Sequence, residues 1–344
     1  MSRSPRLDSS GMWDATCAWP DLLTGALEAA RRAFGPPAAQ PGKPQRAVVA
    51  FGLGPAAAAC DATAALVADQ LAVPFVVCRD SVVPALVGPD CLVVAVSCGD
   101  TPETVAAAHQ SLERGARVVG IGNDAELAGL GARSDMPWCE VGAAGPTGRT
   151  AFGLATVSLL GALSAEGLLP DWTDDVSAAA DFVVRRRDAF SAGIAAELAR
   201  GIGRTIPLVY GATGIGAVAA RWWKSCVNLN AKSPAFAAEL PALTYDELAG
   251  WGQGGDVTRQ TMTLVFLRHS GETPPVSALF DAVRSATEEV MADVLEVRAD
   301  GDNDLARLLD LALLGELVSL ELAAREGVDP GPAPAIEDVA AVRR

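Results

Sequence analysis

Short apolar runs alternate with longer helical segments along most of the chain. The clearest run, at residues 92–96, holds five apolar residues, three of them valine, and predicts a strand buried on both faces, as in a parallel sheet. Similar runs predict strands at residues 47–51, 74–78, 117–121, 206–210, 262–267 and 294–297. Helical patterns occupy the intervals, chiefly at residues 20–34, 102–113, 125–130, 151–168, 174–200, 217–227, 276–292 and 303–325. The alternation predicts the α/β class, with parallel sheets flanked by helices.

One plan of strand, small-residue loop and helix occurs twice, at residues 47–66 and 206–227, so we expect two lobes. Residues 1–18 are predicted to be a loose tail, and residues 35–44 form a proline-rich linker. The predicted domains are an N-terminal tail, helix and linker at 1–45, a first lobe with connecting helices at 46–195, and a second lobe with C-terminal helices at 196–344.

The loop at residues 97–101 follows the central strand. Thr101 can cap the next helix, because Pro102 suits the first helical position and Glu103 the first turn. Unpaired N–H groups at such a helix start can hold an anion. An ordinary strand-to-helix turn has the same pattern, so both interpretations stay open.

The charge and hydrophobicity of the chain exclude several classes of binding partner. The net charge of −15 argues against nucleic acid and anionic membranes as general partners. Half of the residues are hydrophobic, which is typical of a folded protein, yet no apolar run reaches the length of about 18 residues that a membrane span needs. With no signal peptide pattern either, we expect a cytoplasmic protein.

Cysteines and histidines give no sign of a metal site. The seven cysteines lack CxxC spacing and mostly lie in apolar stretches, which is typical of reduced core residues. The two histidines, His109 and His269, show no metal-ligand spacing, and we expect no cofactor. Unlike the other cysteines, Cys98 lies in a loop directly before a predicted helix. A thiol in such a position has either a lowered pKa or, more commonly, a buried environment in which it is unreactive.

Polar residues interrupt an apolar helix end at residues 222–232. Asn228, Asn230 and Lys232 need partners if they are buried. They point either to a ligand or to simple helix termination, since asparagine is a common C-cap.

These stretches resemble the double sugar-isomerase (SIS) proteins, in particular the bifunctional phosphoglucose/phosphomannose isomerases. That family has Arg-Trp-Lys-x-Gln-x-Asn-Glu-Asn-x-Lys at residues 222–232 of this chain, and Pro-Glu-x-x-His-Asn-Glu-x-x-Gly-Trp at residues 241–251. Its phosphate loop, Ser-Tyr-Ser-Gly-x-Thr-Glu-Glu-Thr, falls at residues 96–104. The resemblance runs from about residue 47 to the C-terminus. It implies two SIS-type lobes, each a parallel sheet flanked by helices, and a homodimer.

The departures from the family pattern concern its chemistry. The resemblance places the family's catalytic glutamate at Leu229 and its ring-opening histidine at Tyr245. Three hydroxyl donors for phosphate are replaced by Ala56, Val96 and Cys98, and each lost hydrogen bond to a charged ligand would cost ~1.5–3 kcal/mol. Leucine accepts no proton and tyrosine is a poor base at neutral pH, so we expect an isomerase-shaped pocket without the isomerase acid–base pair.

The residues that remain define a candidate site. Glu247 is a possible recruited base, and Arg149 stands where the family places an arginine near the developing enediolate charge. The candidate ligand-binding residues are Gly52, Ser97, Cys98, Gly99, Thr101, Arg149, Asn228, Lys232 and Tyr245. We expect the loop 96–101, Arg149 and the stretch 228–251 to meet in one pocket at the carboxyl ends of the strands.

The sequence therefore predicts a protein that binds a sugar phosphate or another anionic carbohydrate derivative, with weak or absent catalysis. One alternative is an active aldose–ketose isomerase that recruits Glu247, Glu239 or Asp246 as its base. The other is a structural dimerisation or regulatory partner of a sugar-metabolic enzyme.

Overall fold

The computed structural model describes residues 7–39, 44–99, 101–142 and 148–341. Parts of the predicted tail and linker, and Asp100 of the loop 97–101, lie outside these residues. Contacts divide the chain into a first unit, Ala18–Asp181, and a second unit made of Met1–Cys17 with Phe182–Arg344. Among the described residues, no helix is both long and apolar enough to cross a membrane.

The strands occupy short buried segments and the helices connect them. The strands are β1 Ala47–Phe51, β2 Phe75–Cys78, β3 Cys91–Ser97, β4 Arg117–Gly122, β5 Trp138–Glu140, β6 Ile206–Ala212, β7 Phe236–Leu240, β8 Met262–His269 and β9 Asp293–Ala299. The helices are α1 Met12–Ala18, α2 Leu23–Phe34, α3 Pro55–Leu66, α4 Pro102–Glu113, α5 Ala125–Arg133, α6 Phe152–Ala165, α7 Thr173–Ala189, α8 Ala195–Ile202, α9 Ile215–Cys226, α10 Leu243–Asp246, α11 Gly255–Thr261, α12 Pro274–Thr287, α13 Asp304–Glu326 and α14 Pro334–Ala341. Short 3₁₀ turns lie at Trp19–Leu22, Gly148–Ala151, Leu248–Gly250 and Glu288–Val290, and π-helical turns at Phe190–Ile194 and Val227–Ala231.

The first unit is built on a five-stranded sheet in the order β2-β1-β3-β4-β5. All its strand pairs are parallel, with Phe51 opposite Cys78 on one side and Ala95 on the other. Every residue of β1 and β3 is buried, because helices cover both faces of a parallel sheet. The sheet brings the carboxyl ends of β1 and β3, with the loops that follow them, to one edge.

The second unit has a four-stranded sheet in the order β7-β6-β8-β9, again with every pair parallel. Its long helix α13 is buried along nearly its whole length and ends at Gly327, which adopts the left-handed conformation. The α/β class with two parallel sheets flanked by helices is therefore confirmed.

Two edge strands, β5 and β7, and one helix, α1, are not predicted by the sequence pattern. β5 has three residues and β7 begins with an exposed Phe236, so neither gives the continuous apolar run of a buried strand. The predicted loose tail is wrong for Met12–Ala18, which form α1. The carboxylate of Asp8 accepts hydrogen bonds from the N–H groups of Met12 and Trp13 and so starts this helix. The predicted helix at 174–200 is interrupted at Phe190–Ile194, where Gly193 leaves helical geometry.

Candidate functional site

The loop after β3 is held in place by a buried carboxylate, that of Asp124. Ser97 is fully buried, and its hydroxyl lies 2.7 Å from Oδ2 of Asp124 and is also hydrogen-bonded to the hydroxyl of Thr101. The N–H of Thr101 donates to the same Asp124 oxygen at 3.2 Å. The other oxygen, Oδ1, accepts from the N–H groups of Glu126 and Leu127 and caps α5. Asp124 thus joins the loop to the start of α5 while only 6% exposed.

The start of α4 differs from the open anion cradle considered above. Thr101 is the N-cap residue and Pro102 the first helical residue, as predicted, but the Thr101 side chain makes no capping hydrogen bond. Its N–H is donated to Asp124, and its carbonyl accepts from the N–H groups of Thr104 and Val105. Protein groups, including a carboxylate, therefore use donors that a bound anion would need.

Cys98 lies next in the same loop. Burial raises the pKa of its thiol to about 12, so the thiolate is disfavoured at neutral pH. All seven cysteines are free thiols. Cys98 is half-buried, and of the two environments considered for it the raised pKa favours the inert one.

The turn that carries Arg149 packs directly on this loop. A Cβ added at Gly148 would lie 1.6 Å from the carbonyl oxygen of Cys98, so only glycine allows the two backbones to approach this closely. The structure therefore brings the backbone before Arg149 beside Cys98, as the predicted site requires. Gly52 directly follows β1 at the same edge, where its N–H donates to the carbonyl of Cys78 at 3.2 Å.

In the second unit the two asparagines have structural partners. They lie in the π-helical turn Val227–Ala231, which continues α9. Asn228 donates its side-chain N–H to the carbonyl of Ser233 at 2.8 Å. The buried Asn230 donates to the hydroxyl of Ser319 on α13 at 2.9 Å. Both side chains hold the end of α9 in place.

Lys232 closes the same turn. Its backbone adopts the left-handed conformation, with φ of 55°. Its ammonium group donates to the carbonyl oxygen of Leu229 and, at 3.1 Å, to that of Pro330. The lysine thus ties the π-helical turn to the segment that follows α13.

The stretch 228–251 is divided between two edges of the sheet, which corrects the expectation that all of it meets at the carboxyl edge. Residues 228–232 precede β7, whereas Tyr245 and Glu247 follow it. The five residues of β7 span about 16 Å between the two groups. The amino edge therefore carries Asn228 and Lys232, and the carboxyl edge carries Tyr245.

The residues after β7 show two different environments. Tyr245 is 90% exposed, so none of its ring is packed in a core. Glu247 accepts a hydrogen bond from the phenol of Tyr210, which lies on β6 and is fully buried. Burial first, and then the hydrogen bond to Glu247, raise the pKa of Tyr210 far above its ordinary value.

Leu229 lines a groove of about 600 Å³ at the amino edge. Asn228 and Lys232 line this groove together with an apolar segment, residues 332–336. The volume suits a small organic ligand, and Asp329 supplies the carboxylate among the described residues that line the groove. Asp329 accepts hydrogen bonds from the N–H groups of Ser9 and Gly331. The hydrogen bond from the Ser9 side chain first, and then those from the two N–H groups, lower the pKa of its carboxyl.

Sequence reasoning missed Asp124 and Tyr210. Asp124 carries a readable signal, because an aspartate directly after a strand and before a helical segment is a typical N-cap. Tyr210 carries none, since it lies inside the apolar run of β6. Within the described ranges, no three histidine, cysteine, aspartate or glutamate side chains form a group that could hold a metal ion.

Comparisons with known proteins give one consistent picture. Residues 192–341 match the family model of the bacterial phospho-glucose isomerase C-terminal SIS domain. Bifunctional phosphoglucose/phosphomannose isomerase of Caldicellulosiruptor bescii is 26% identical over 84% of this chain and 87% of its own length. The enzyme of the same name from Aquifex aeolicus is 27% identical over 77% of this chain and 80% of its own.

A solved structure extends the likeness to the fold of nearly the whole chain. The C-terminal domain of glucosamine-fructose-6-phosphate aminotransferase from Francisella tularensis superimposes with a TM-score of 0.68 at 15% identity, over 93% of this chain and 97% of that domain. The resemblance that the sequence motifs indicate is confirmed by these matches.

Proposed function

We propose that this double-SIS protein, a relative of the bifunctional phosphoglucose/phosphomannose isomerases, binds a sugar phosphate or another anionic carbohydrate derivative and retains little or no isomerase activity. The observation that carries the proposal is the environment of Leu229. Its neighbours Asn228 and Lys232 donate to backbone carbonyls, and the apolar residues 332–336 line the same groove.

The chemistry of isomerisation supports this proposal. Interconversion of an aldose and a ketose needs a base at the C1–C2 protons and an acid–base group for ring opening. The resemblance assigns these roles to the positions of Leu229, which cannot take a proton, and of Tyr245, whose phenol is a poor base. Loss of one such group removes about 10²–10⁴ of rate, and loss of two does not simply multiply, because the groups act together.

A recruited carboxylate is the second candidate, and Glu247 is the residue to test. One of its oxygens already accepts the Tyr210 phenol. A base in this position must give up or share that hydrogen bond before it takes a substrate proton.

The test is turnover of fructose 6-phosphate to glucose 6-phosphate, detected by NADP-linked oxidation, with NMR detection for mannose 6-phosphate. We expect a turnover number below about 1 s⁻¹, the low end for ordinary enzymes. A higher value contradicts the proposal, and its loss in Glu247→Gln would establish the recruited base.

Restoring the family's pair locates the defect. Leu229→Glu with Tyr245→His is expected to raise turnover, and Leu229→Gln with Tyr245→His is the matched control, because glutamine has the size of glutamate without its basicity. Activity in both double variants, or in neither, would mean that the missing carboxylate is not the main loss.

Ligand binding separates a sugar-binding protein from a structural partner. A ligand at about 100 times its dissociation constant adds about 2.7 kcal/mol to the free energy of unfolding, which raises the melting temperature measurably. A panel of sugar phosphates that leaves the melting temperature unchanged would favour the structural or regulatory role. The predicted homodimer belongs to the same proposal, and light scattering after gel filtration tests it.

A further inference from the structure

The buried carboxylate of Asp124 contacts the loop after β3, where the resemblance places the family's phosphate loop. One of its oxygens accepts the Ser97 hydroxyl at 2.7 Å and the Thr101 N–H at 3.2 Å. The Thr101 hydroxyl is in turn bound to Ser97. One loop hydroxyl, that of Ser97, and one backbone donor, the N–H of Thr101, therefore lie against an anion of the protein itself, and the Ser97 hydroxyl is also 2.7 Å from the carbonyl oxygen of Gly99.

A phosphate group at this loop would meet two obstacles. Hydrogen-bond donors that point at one anion are not available to a second, and hydrogen bonds to charged groups are the strong ones. The carboxylate also repels the phosphate, because Asp124 is only 6% exposed and water screens a buried charge weakly. Both obstacles add to the loss of the family's donors at Ala56, Val96 and Cys98.

We propose that Asp124 is a specificity-determining residue that weakens binding of phosphorylated sugars at the first unit's loop by taking the donors of Ser97 and Thr101. The inference rests on the proposed function, since it concerns the affinity of the same ligand. It predicts that the unphosphorylated part of a sugar contributes more to binding here than the phosphate does.

The test removes the negative charge of Asp124 and keeps its N-cap hydrogen bonds to α5. In Asp124→Asn, the amide oxygen still accepts from the N–H groups of Glu126 and Leu127, whereas the negative charge beside Ser97 and Thr101 is gone. We measure the affinity for fructose 6-phosphate and for fructose by isothermal titration calorimetry. Because the loop donors are then free for the ligand, we expect fructose 6-phosphate to bind about 10-fold tighter in the variant, a change of about 1.4 kcal/mol, and fructose to bind as in the wild type.

Glu126→Gln is the matched control. Glu126 is exposed in the first turn of α5, so the substitution removes the same charge two residues away and leaves the side-chain contacts of the loop intact. An equal gain in Glu126→Gln would mean that net charge alone acts, and it would overturn the proposal.

A second variant guards against misfolding. Asp124→Ser keeps an N-cap oxygen but is too short to serve the cap and the loop together, so it is expected to tighten fructose 6-phosphate binding as well. If the wild type binds fructose 6-phosphate and both folded Asp124 variants bind it within twofold of the wild type, the role of Asp124 is refuted while the proposed function stands. If neither the wild type nor any variant binds any sugar phosphate, both are refuted.

Discussion

The hydrogen bond between Tyr210 and Glu247 allows the contribution of Glu247 to stability to be tested separately from any role in catalysis. Tyr210 is fully buried on β6, and its phenol donates to the carboxylate of Glu247 on the segment after β7. The perturbation is Tyr210→Phe, which removes the hydroxyl and keeps the ring against Phe266, 6.3 Å away between centroids.

The cost at neutral pH follows from the hydrogen bond alone, since the ring volume is preserved. A hydrogen bond to a charged group contributes about 1.5–3 kcal/mol, and the half-buried Glu247 can recover part of this from water. We therefore expect Tyr210→Phe to lower the free energy of unfolding by about 1.5 kcal/mol at pH 7.

The pH dependence gives the sharper result. Burial and Glu247 raise the pKa of Tyr210, while the unfolded chain has the ordinary tyrosine pKa of about 10. Above pH 10 the unfolded state loses a proton that the native state keeps, so the stabilisation, complete below pH 10, falls as the pH rises. The slope is about 1.4 kcal/mol per pH unit, which nearly closes the gap between wild type and variant at pH 11.

The measurement is the midpoint and slope of urea unfolding from pH 7 to 11 for both proteins. Burial also raises the pKa of several thiols, at Cys60, Cys78, Cys98 and Cys139, and these destabilise both proteins alike in alkali. Only the difference between the two proteins reports on Tyr210. Parallel stability curves between pH 9 and 11 would refute the reasoning. Turnover of fructose 6-phosphate is expected to stay below detection in both, and a gain in Tyr210→Phe would identify Glu247 as a base released from its partner.

Two further substitutions test the framework of each unit by urea unfolding. Gly148→Ala puts a Cβ 1.6 Å from the Cys98 carbonyl oxygen, so we expect a loss of about 2 kcal/mol or more together with weaker sugar phosphate binding. Gly142→Ala, whose Cβ would have no atom of the described residues within 4 Å, is expected to change neither, and equal effects would contradict the close approach. Glu272→Ala removes the nearest carboxylate from the buried guanidinium of Arg268, which is 4% exposed and still has Glu296 at 3.9 Å and the Ser277 hydroxyl at 2.9 Å, so we expect a cost of about 3 kcal/mol. Glu28→Ala, at an exposed pair with Arg32, is expected to cost less than about 0.5 kcal/mol; similar costs would show that burial of the pair is unimportant.

The sequence predicts the fold where burial leaves an unbroken apolar run. β1 and β3 are buried at every residue, and both are visible in the sequence to within one residue of their observed ends. β5 and β7 are short edge strands with one neighbour each, so their residues need not be apolar throughout, and their pairing comes from the sheet rather than from local pattern. The helix α1 depends on the Asp8 cap, which lies in a stretch too polar to suggest a core.

The sequence predicts which segments of the first unit's candidate site come together, but not the hydrogen bonds that their side chains make. The loop after β3 and the turn before Arg149 do lie together, because glycine at 148 lets the backbones touch. The direction in which Ser97 and Thr101 point is set by Asp124, which is 23 residues beyond Thr101 in sequence and comes next to it through the pairing of β3 with β4. No local pattern contains that information, since it arises from the sheet register.

The matching residues at 228–232 therefore call for a second interpretation. In the family pattern the two asparagines and the lysine flank a catalytic glutamate, and their presence here alone would favour retained chemistry. In this structure Asn230 binds Ser319 of α13, and Lys232 binds the carbonyls of Leu229 and Pro330, so each side chain fixes the end of α9 to the C-terminal segment. A buried amide such as that of Asn230 is costly to leave unpaired. A chain that has exchanged the glutamate for leucine still needs them for its fold, and their presence is compatible with a protein that binds its ligand without isomerising it.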